Sequence, residues 1–419
     1  MSIKEPPKDF LSIVYLISLL NGMGGLLPWN MFIMIAPQYY VDYWFTQNDM
    51  ASQYAGSFMS FLSLASQLPN VSFNILNVIL VIGWSLFARI IGPLVINCIC
   101  VGIVIAMAIF CEPALKDMTW FYAVTMCLVV IMNIANGFYT NSCFGLFADF
   151  PPNYINAFVL GSNICGLVTA VLSILCATVL NDIRSVAILY FTLSLAVLLT
   201  CLFSIFLLKR LPYFLYFEAK GIEAREAGNS TKPSWTQIRH TIQNGWPQFI
   251  NVFLVFFITL SLYPAVLADS TPVKDDDGRW PSVIPENIYD GLIVFLNFAT
   301  FATTGSLVAG FWQWPTPRFL WIGTTSRALF IPFFLFCPYL PADRKWPILI
   351  HSEWIFAVGN SLMAFTSGYF SSLAMMYAPK VVPEALSKTA GMISALCLIG
   401  GITSGILFTF VLRFFVTHI

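Results

Sequence analysis

The sequence predicts an all-α polytopic membrane protein with eleven transmembrane helices in a six-plus-five arrangement. Two observations carry the membrane assignment. Of the 419 residues, 58% are hydrophobic and 10% are charged, so the chain has too little polar surface to cover a soluble domain of this size. Apolar runs of about 20 residues, the length that crosses a hydrocarbon core as a helix, recur along the chain.

These apolar runs define the predicted spans. The first follows the mixed-charge stretch MSIKEPPKDF and is long enough to be retained as a spanning helix rather than cleaved as a signal peptide. The second is long enough to include an interfacial stretch before Arg89. We place the spans at residues 10–36, 54–82, 90–111, 120–146, 155–180, 185–208, 246–268, 288–312, 318–337, 347–376 and 388–412.

Loop charge predicts the orientation of these spans. An odd number of spans places the two termini on opposite sides of the membrane. With the N-terminus inside, the cytoplasmic segments hold twelve Lys and Arg residues and the outer segments hold seven, in agreement with the positive-inside rule. We therefore expect an integral, multi-pass protein of the plasma membrane with a cytoplasmic N-terminus and an extracellular C-terminus.

The longest connection divides the spans into six and five. It is charged and contains Gly and Ser, as a flexible cytoplasmic linker does. We predict an N-terminal six-helix bundle at residues 1–208, a cytoplasmic linker loop at residues 209–245 and a C-terminal five-helix bundle at residues 246–419. Two such bundles are typical of transporters of the major facilitator type, whose halves are related by an axis along the membrane normal.

Composition and spacing argue against several functions. The formal net charge is zero, so no basic patch indicates nucleic acid. The histidines, His240, His351 and His418, lack further ligands at metal-binding spacing, and none lies mid-membrane where an intramembrane enzyme needs a base. We expect no metal, no cofactor and no enzymatic activity. Most of the ten cysteines lie within spans; a disulfide between Cys111 and Cys337 stays open.

Polar side chains inside the spans form stripes. In the second span, amide side chains recur at intervals of three, four and three residues, which places them on one helical face. The fourth, eighth and tenth spans repeat the pattern. The four stripes are Gln67, Asn70, Asn74 and Asn77; Asn133, Asn136 and Thr140; Asn297, Thr300 and Thr304; and Asn360, Ser367 and Ser371.

Two interpretations of the stripes stay open. Hydrogen bonds between such residues contribute about 0.6–2 kcal/mol each and commonly hold membrane helices together. Four stripes exceed the one or two contacts that a helix pair needs, so a central polar cavity explains them jointly. A cavity rich in amides and hydroxyls and poor in charge suits a neutral solute, whereas a cation favours a buried carboxylate.

The stretch GGLLPWN, residues 24–30, places a helix breaker and an amide inside the first span. Pro28 frees a backbone carbonyl one turn earlier, and the two glycines allow a neighbouring helix or ligand to approach. Trp29 offers a stacking face and Asn30 an amide. The stretch therefore predicts a kinked first helix that lines the cavity.

Four of the charged residues in or near the spans are candidates for a structural or gating role. Arg327 falls near mid-membrane, where an unpaired charge is costly, and Glu353 in the tenth span is its predicted partner. A static pair that fixes two helices and a proton-coupling site are both open. Asp149 and Arg89 lie near the predicted cytoplasmic face and, by analogy with other carriers, form part of a gate.

Eight motifs, in order and spread over nearly the whole chain, resemble the equilibrative nucleoside transporter family. The resemblance implies eleven helices, a cytoplasmic loop between the sixth and seventh, and facilitated transport of nucleosides, and possibly of nucleobases, by alternating access. The motifs are GGLLPWNMF at 24–32, QLPN at 67–70, ARIIGPLV at 88–95, SCFGLFADFPPNYINAFVLGSNICG at 142–166, SLYPAV at 261–266, RALFIPFF at 327–334, SGYFSSLAMMYAPK at 367–380 and SKTAGMISALCLIGG at 387–401.

The resemblance also implies site residues. The close-packing glycines of the family's fifth helix fall on Gly161 and Gly166. This chain has Thr300 and Thr304 where the family usually has an Asp and an Arg in the eighth helix, and Thr140 where a Gln is usual in the fourth. The cavity lining falls on Leu26, Trp29, Gln67, Asn70, Thr140, Asn297, Thr300, Thr304 and Ile402.

A carrier of organic cations such as monoamines, or of other polar metabolites, on the same scaffold is the alternative. Its discriminating feature is an acidic residue on the cavity face of the fifth helix, where this chain has Asn163. The expected partners are a nucleoside or nucleobase and the lipid bilayer. Neither nucleic acid nor an obligate protein partner is expected.

Overall fold

The computed structural model describes residues 7–47, 50–79, 85–114, 118–179, 182–227, 235–273, 279–341 and 343–418. These residues are almost entirely helical, apart from a short antiparallel pair of strands, β1 (Thr46–Gln47) and β2 (Met50–Ala51). The predicted all-α class is therefore confirmed.

The first helices run as follows. Helix α1 (Ile13–Ile35) continues through Pro28 and is extended by a π-helical segment, Ala36–Trp44. The next are α2 (Phe58–Ile79), α3 (Ala88–Phe110), α4 (Met118–Phe147), α5 (Pro152–Val179) and α6 (Ile183–Leu208). The end of the predicted second span, residues 80–82, lies outside the described residues.

The remaining helices begin with α7 (Pro212–Ala227), which lies in the predicted linker; residues 228–234 of that linker lie outside the described part. Helix α8 begins at Trp235, eleven residues before the predicted bundle boundary at 246. The others are α9 (Ala265–Ala268), α10 (Glu286–Tyr289), a π-helical segment (Asp290–Leu296) leading into α11 (Asn297–Phe311), α12 (Leu320–Ser326), α13 (Phe330–Leu335), α14 (Glu353–Tyr377) and α15 (Ser387–His418).

Eight helical segments of the described residues are long and apolar enough to cross a membrane, which makes the chain a multi-pass membrane protein. They are Phe10–Trp44, Ala88–Phe110, Met118–Phe147, Pro152–Cys176, Ile183–Leu208, Trp235–Ala268, Asp290–Phe311 and Glu384–His418. Helices α2 and α14 are not among them, because their polar stripes lower their mean hydropathy. The count of eleven spans therefore stays a prediction.

Small residues allow three helix pairs to pack at short distance. On α1 and α5, a Cβ added to Gly161 would overlap the carbonyl oxygen of Leu19. Gly368 of α14 lies in the same way against Ala302 of α11, and Gly405 of α15 lies against Phe257 of α8. Close backbone approach through small residues is the common way to pack helices in lipid.

The two predicted packing glycines of α5 differ. Gly161 lies directly against α1, as the family resemblance implies. A Cβ added to Gly166 would have the Cβ of Ala299 on α11 as its nearest neighbour, at 4.0 Å. A side chain at Gly166 meets no close contact, so only Gly161 is required by packing.

Substitution of Gly161 tests the close packing of α1 on α5. Because the new methyl groups would overlap the backbone of α1, we expect Gly161→Val to destabilise the protein by about 1–3 kcal/mol or more. Gly102→Val on α3 is the matched control, since nothing lies within 4 Å of a Cβ at Gly102. Thermal unfolding in detergent measures both, and equal melting temperatures for the two variants would contradict the assigned packing.

Candidate substrate site and polar seams

Trp29 lies on the face of α1 that points between α4 and α5. One turn earlier, a Cβ at Gly25 would lie 3.4 Å from Thr140 Oγ1 of α4. On the following residue, Asn30 Nδ2 donates to Cys165 Sγ of α5 over 3.4 Å. Trp29 itself is half-buried and stacks on Phe32, with 6.0 Å between ring centroids. Trp29 thus lies beside α4, and Leu26, also half-buried, lies one turn away.

A small cavity next to Trp29 brings the amides of α4 together. Thr140 Oγ1 donates to Asn136 Oδ1 over 3.4 Å. The cavity volume is about 10 Å³, close to one water-sized sphere, so this arrangement of helices leaves no room there for a solute the size of a nucleoside. The residues lining it are Gly25, Pro28, Trp29, Asn97, Met132, Asn133 and Asn136.

The sequence analysis did not identify Asn97 of α3 as a candidate site residue. Its Oδ1 is buried and has no hydrogen-bond partner among the described residues, although a buried acceptor without a partner costs about 1–3 kcal/mol. Asn97 is a lone amide in an apolar helix, so no helical periodicity marked it. An orphaned acceptor beside the Trp29 cavity makes Asn97 a further candidate for the site.

Where α2 packs against α15, Gln67 lies next to the helical turn that contains Ile402. Gln67 Oε1 accepts a hydrogen bond from Thr403 Oγ1 over 3.5 Å. One turn further along α2, Asn74 Nδ2 donates to Asn70 Oδ1 over 2.9 Å. The predicted stripe is thus partly bonded within its own helix and partly to α15.

Ser306 joins three helices. Asn156 and Asn163 of α5 donate to the carbonyl oxygen and to Oγ of Ser306, over 3.1 and 2.6 Å. Ser306 Oγ in turn donates to the carbonyl of Gly368 on α14 over 3.1 Å. The sequence analysis missed Ser306; the seven-residue spacing of Asn156 and Asn163 on one face of α5 was the available signal.

Thr300 and Thr304 require a correction, because the structure places them on the opposite face of α11 from Ser306. Both hydroxyls bond back to their own helix, to the carbonyls of Leu296 and Thr300. Both are exposed, on the same face as Phe311, which is 86% exposed. An exposed apolar face of a membrane helix faces lipid, so these threonines do not line the cavity. Asn297, by contrast, donates to the carbonyl of Ala357 on α14 over 2.9 Å.

A buried network links α2, α3, α4 and α15 where α4 ends and α15 begins. Arg89 Nη1 donates to Asn77 Oδ1 over 3.0 Å. Asn77 Nδ2 donates to Asn141 Oδ1, and Asn141 Nδ2 donates to the carbonyl of Met392, over 3.1 and 2.9 Å. This network connects a helix of the first predicted bundle to one of the second. We call this end of the molecule the Asp149 end.

Helix α7 lies across the same end. Arg225 pairs with Asp149 at 2.8 Å, and Lys220 pairs with Glu384 at 2.7 Å, just before α15. Burial raises the pKa of the Asp149 carboxyl, and the Arg225 guanidinium opposes that rise. Asp149 and Arg89 therefore lie at the same end of the bundle, where Asp149 pairs with Arg225 and Arg89 donates to Asn77.

The predicted partner of Arg327 is also corrected. It is 1% exposed, and its partners are the carbonyls of Val255 and Met363 and the hydroxyls of Thr259 and Thr366. Met363 and Thr366 lie ten and thirteen residues beyond Glu353, roughly 15–20 Å along the helix. Glu353 is therefore too far away to be the predicted partner.

The site is chemically neutral at its centre. Amide and hydroxyl groups line the contacts around Trp29, Gln67 and Ser306, and the ion pairs of the described residues lie at helix ends. Within those residues no three His, Cys, Asp or Glu side chains are placed to hold a metal ion. Such a lining can hold an uncharged polar solute through hydrogen bonds.

The fold of this chain is similar to that of a solved protein of the major facilitator superfamily. The proton:xylose symporter XylE of the major facilitator superfamily, solved with 6-bromo-6-deoxy-D-glucose, superimposes with a TM-score of 0.64, covering 97% of this chain and 89% of that one at 12% identity. At that identity the likeness concerns the fold.

The sequence comparisons identify the family. The chain belongs to the nucleoside transporter family, whose sequence model matches residues 126–414. It is 27% identical to equilibrative nucleoside transporter 3 of Rattus norvegicus, over 93% of this chain and 86% of that protein. It is 25% identical to equilibrative nucleoside transporter 1 of Homo sapiens, over 99% of both chains. The predicted family is therefore confirmed. The prediction that the protein is a transporter and not an enzyme is confirmed as well.

The Arg89 network generates a test. Asn77→Leu removes the acceptor of a buried guanidinium, so we expect a loss of about 1–3 kcal/mol. Adding Arg89→Met removes the stranded charge, and the double variant is expected to recover much of that loss. Unfolding of the two single variants and the double variant in detergent forms a double-mutant cycle. Additive losses would show that Arg89 and Asn77 act independently.

Proposed function

We propose that this protein moves nucleosides, and nucleobases with them, down their concentration gradients by alternating access. The observation that carries the proposal is the placement of the Trp29 ring beside the amides and hydroxyl of α4, in a chain of the nucleoside transporter family. A nucleoside presents an aromatic face and several neutral hydrogen-bonding groups. An aromatic ring next to neutral donors and acceptors matches that chemistry.

The membrane arrangement we propose has eleven spans, with α2, α14 and the α12–α13 segment added to the eight apolar ones. The bundles are residues 1–208 and 246–419, joined by the cytoplasmic linker at 209–245. The N-terminus and the Asp149 end face the cytoplasm, the C-terminus faces outside, and the plasma membrane is the proposed location. Lys220, Arg225 and Lys380 at the Asp149 end support that orientation.

The substrate contacts we propose surround Trp29. Its ring stacks on the base, Leu26 and Ile402 pack against the substrate, and Gln67, Asn70, Thr140 and Asn97 supply hydrogen bonds. Asn297 is retained at the edge of this site. Thr300 and Thr304 are not, because their face of α11 is directed away from it.

Alternating access requires the site to open at one end while the other is held closed. At the Asp149 end, hydrogen bonds cross between the two predicted bundles at Asn141 and Asn156, and α7 adds the Lys220–Glu384 pair. These contacts support a closed cytoplasmic end, with Arg89 and Asp149 supporting the gate through their neighbours. Opening to the cytoplasm then requires these cross-bundle bonds to break.

Asn163 supports a nucleoside over an organic cation. The residue is neutral, and its amide already donates to Ser306 Oγ over 2.6 Å. A monoamine carrier needs a carboxylate in the binding site to compensate the ammonium charge. At its contact with α11, helix α5 has the amide of Asn163 in place of a carboxylate.

Uptake by wild type and Trp29 variants tests the function. Cells or liposomes containing the chain take up a panel of labelled nucleosides, nucleobases and amines. We expect nucleosides to be preferred and Trp29→Ala to weaken their uptake about 5- to 150-fold, because base stacking contributes about 1–3 kcal/mol. Trp29→Phe keeps an aromatic face and is expected to retain most uptake.

Trp246→Ala on α8 is the control for loss of a tryptophan, since its side chain is exposed away from the site. All variants are compared at equal surface expression. Preferential uptake of a cationic amine would contradict the nucleoside assignment. Equal losses in Trp29→Ala and Trp29→Phe would reassign Trp29 to packing.

A further inference from the structure

A groove of about 690 Å³ lies between α14 and the segment formed by α12 and α13. The segment is interrupted by a 3₁₀ turn at Arg327–Leu329, and both Arg327 and Leu329 line the groove. Two Gly–Phe contacts join the walls of the groove: Phe370 lies against Gly323, and Phe333 lies against Gly359. The groove shares no lining residue with the Trp29 cavity and is therefore separate from it.

The walls of the groove are apolar and open to the side of the bundle. Leu329, Val358 and Leu362 line it with exposed fractions of 74%, 67% and 55%. Side chains this apolar and this exposed on membrane helices face hydrocarbon. An acyl chain is the group that the surrounding bilayer supplies to such a groove.

The floor of the groove carries a positive charge. Arg327 and Thr366 both line it, joined by a hydrogen bond from Arg327 Nε to Thr366 Oγ1 over 3.2 Å. The partners of Arg327 are all neutral, and its side chain joins none of the ion pairs in the described ranges, which pair Arg184, Lys220 and Arg225 with carboxylates. A charge left uncompensated in a low-dielectric region attracts an anion over a long distance.

The mouth of the groove has the features of a membrane interface. Arg318 is exposed just before α12, roughly 13 Å along the helix direction from Arg327. Trp312, Trp314 and Trp321 are also exposed around it. Tryptophans gather at headgroup level, and basic residues there attract anionic headgroups.

We propose that this groove binds one anionic bilayer lipid, with its headgroup at Arg318 and one acyl chain extending over Arg327. The two arginines favour an anionic lipid over a zwitterionic one. The bound lipid fills the groove between the α12–α13 segment and α14. The proposal depends on the membrane placement of these helices and not on the transported solute, so it holds or fails separately from the nucleoside assignment.

Native mass spectrometry of the full chain from nanodiscs tests the site. The discs contain phosphatidylcholine, alone or with added phosphatidylglycerol. We expect one phosphatidylglycerol to stay bound to wild type. Arg318→Gln should weaken its retention about fivefold, because a basic residue at the membrane surface contributes about 1 kcal/mol. Leu362→Trp fills the groove and should abolish retention.

Two matched variants control for charge and for bulk. Arg210→Gln removes another exposed arginine, and Leu407→Trp enlarges another exposed leucine on α15; both should retain the lipid. Circular dichroism and the elution profile show whether each variant is folded. If Leu362→Trp is not folded, the surface change Arg318→Gln still decides the test. Retention of phosphatidylcholine as readily as phosphatidylglycerol, or equal retention by Arg318→Gln and Arg210→Gln, would overturn the proposal.

Discussion

The bundle depends on one constraint: a polar group inside a bilayer has no water to bond with, so it must find its partner within the protein. The amides and hydroxyls of this chain therefore hold helices together. Ser306 joins α5, α11 and α14, and Asn141 joins α4 to α15. Even the buried guanidinium of Arg327 is accommodated by carbonyls and hydroxyls of α8 and α14. The contacts between helices and the candidate site therefore consist of the same kinds of neutral polar group.

Sequence periodicity predicted where such groups share a helix face, but not which neighbour that face meets. The stripe on α2 was found because its members recur every three or four residues, and its bonds to α4 and α15 follow from that face. The stripe on α11 had the same spacing, yet Thr300 and Thr304 face outward, since spacing does not fix the rotation of a helix. Asn97 was missed because a single polar residue in an apolar helix has no period. Ser306 was missed because it lies on the face of α11 opposite the predicted stripe.

Long-range pairs were the least predictable feature. Arg327 and Glu353 were paired from their approximate depth in the membrane, but the structure satisfies Arg327 through acceptors on α8 and α14 that carry no charge. The two glycines that the family resemblance implies differ in their contacts. Gly161 lies against the backbone of α1, whereas Gly166 has no close contact, because its surroundings depend on how α5 meets α11.

A neutral site has a consequence for energetics. Among the described residues that line the cavity at Trp29 none has an ionisable side chain that titrates between pH 6 and 8, so we expect transport without proton coupling. The most direct measurement is the steady-state ratio of labelled uridine inside to outside proteoliposomes that contain only this chain. We expect a ratio of one, with or without an inward proton or sodium gradient. Accumulation above the outside concentration that a protonophore abolishes would contradict a downhill carrier.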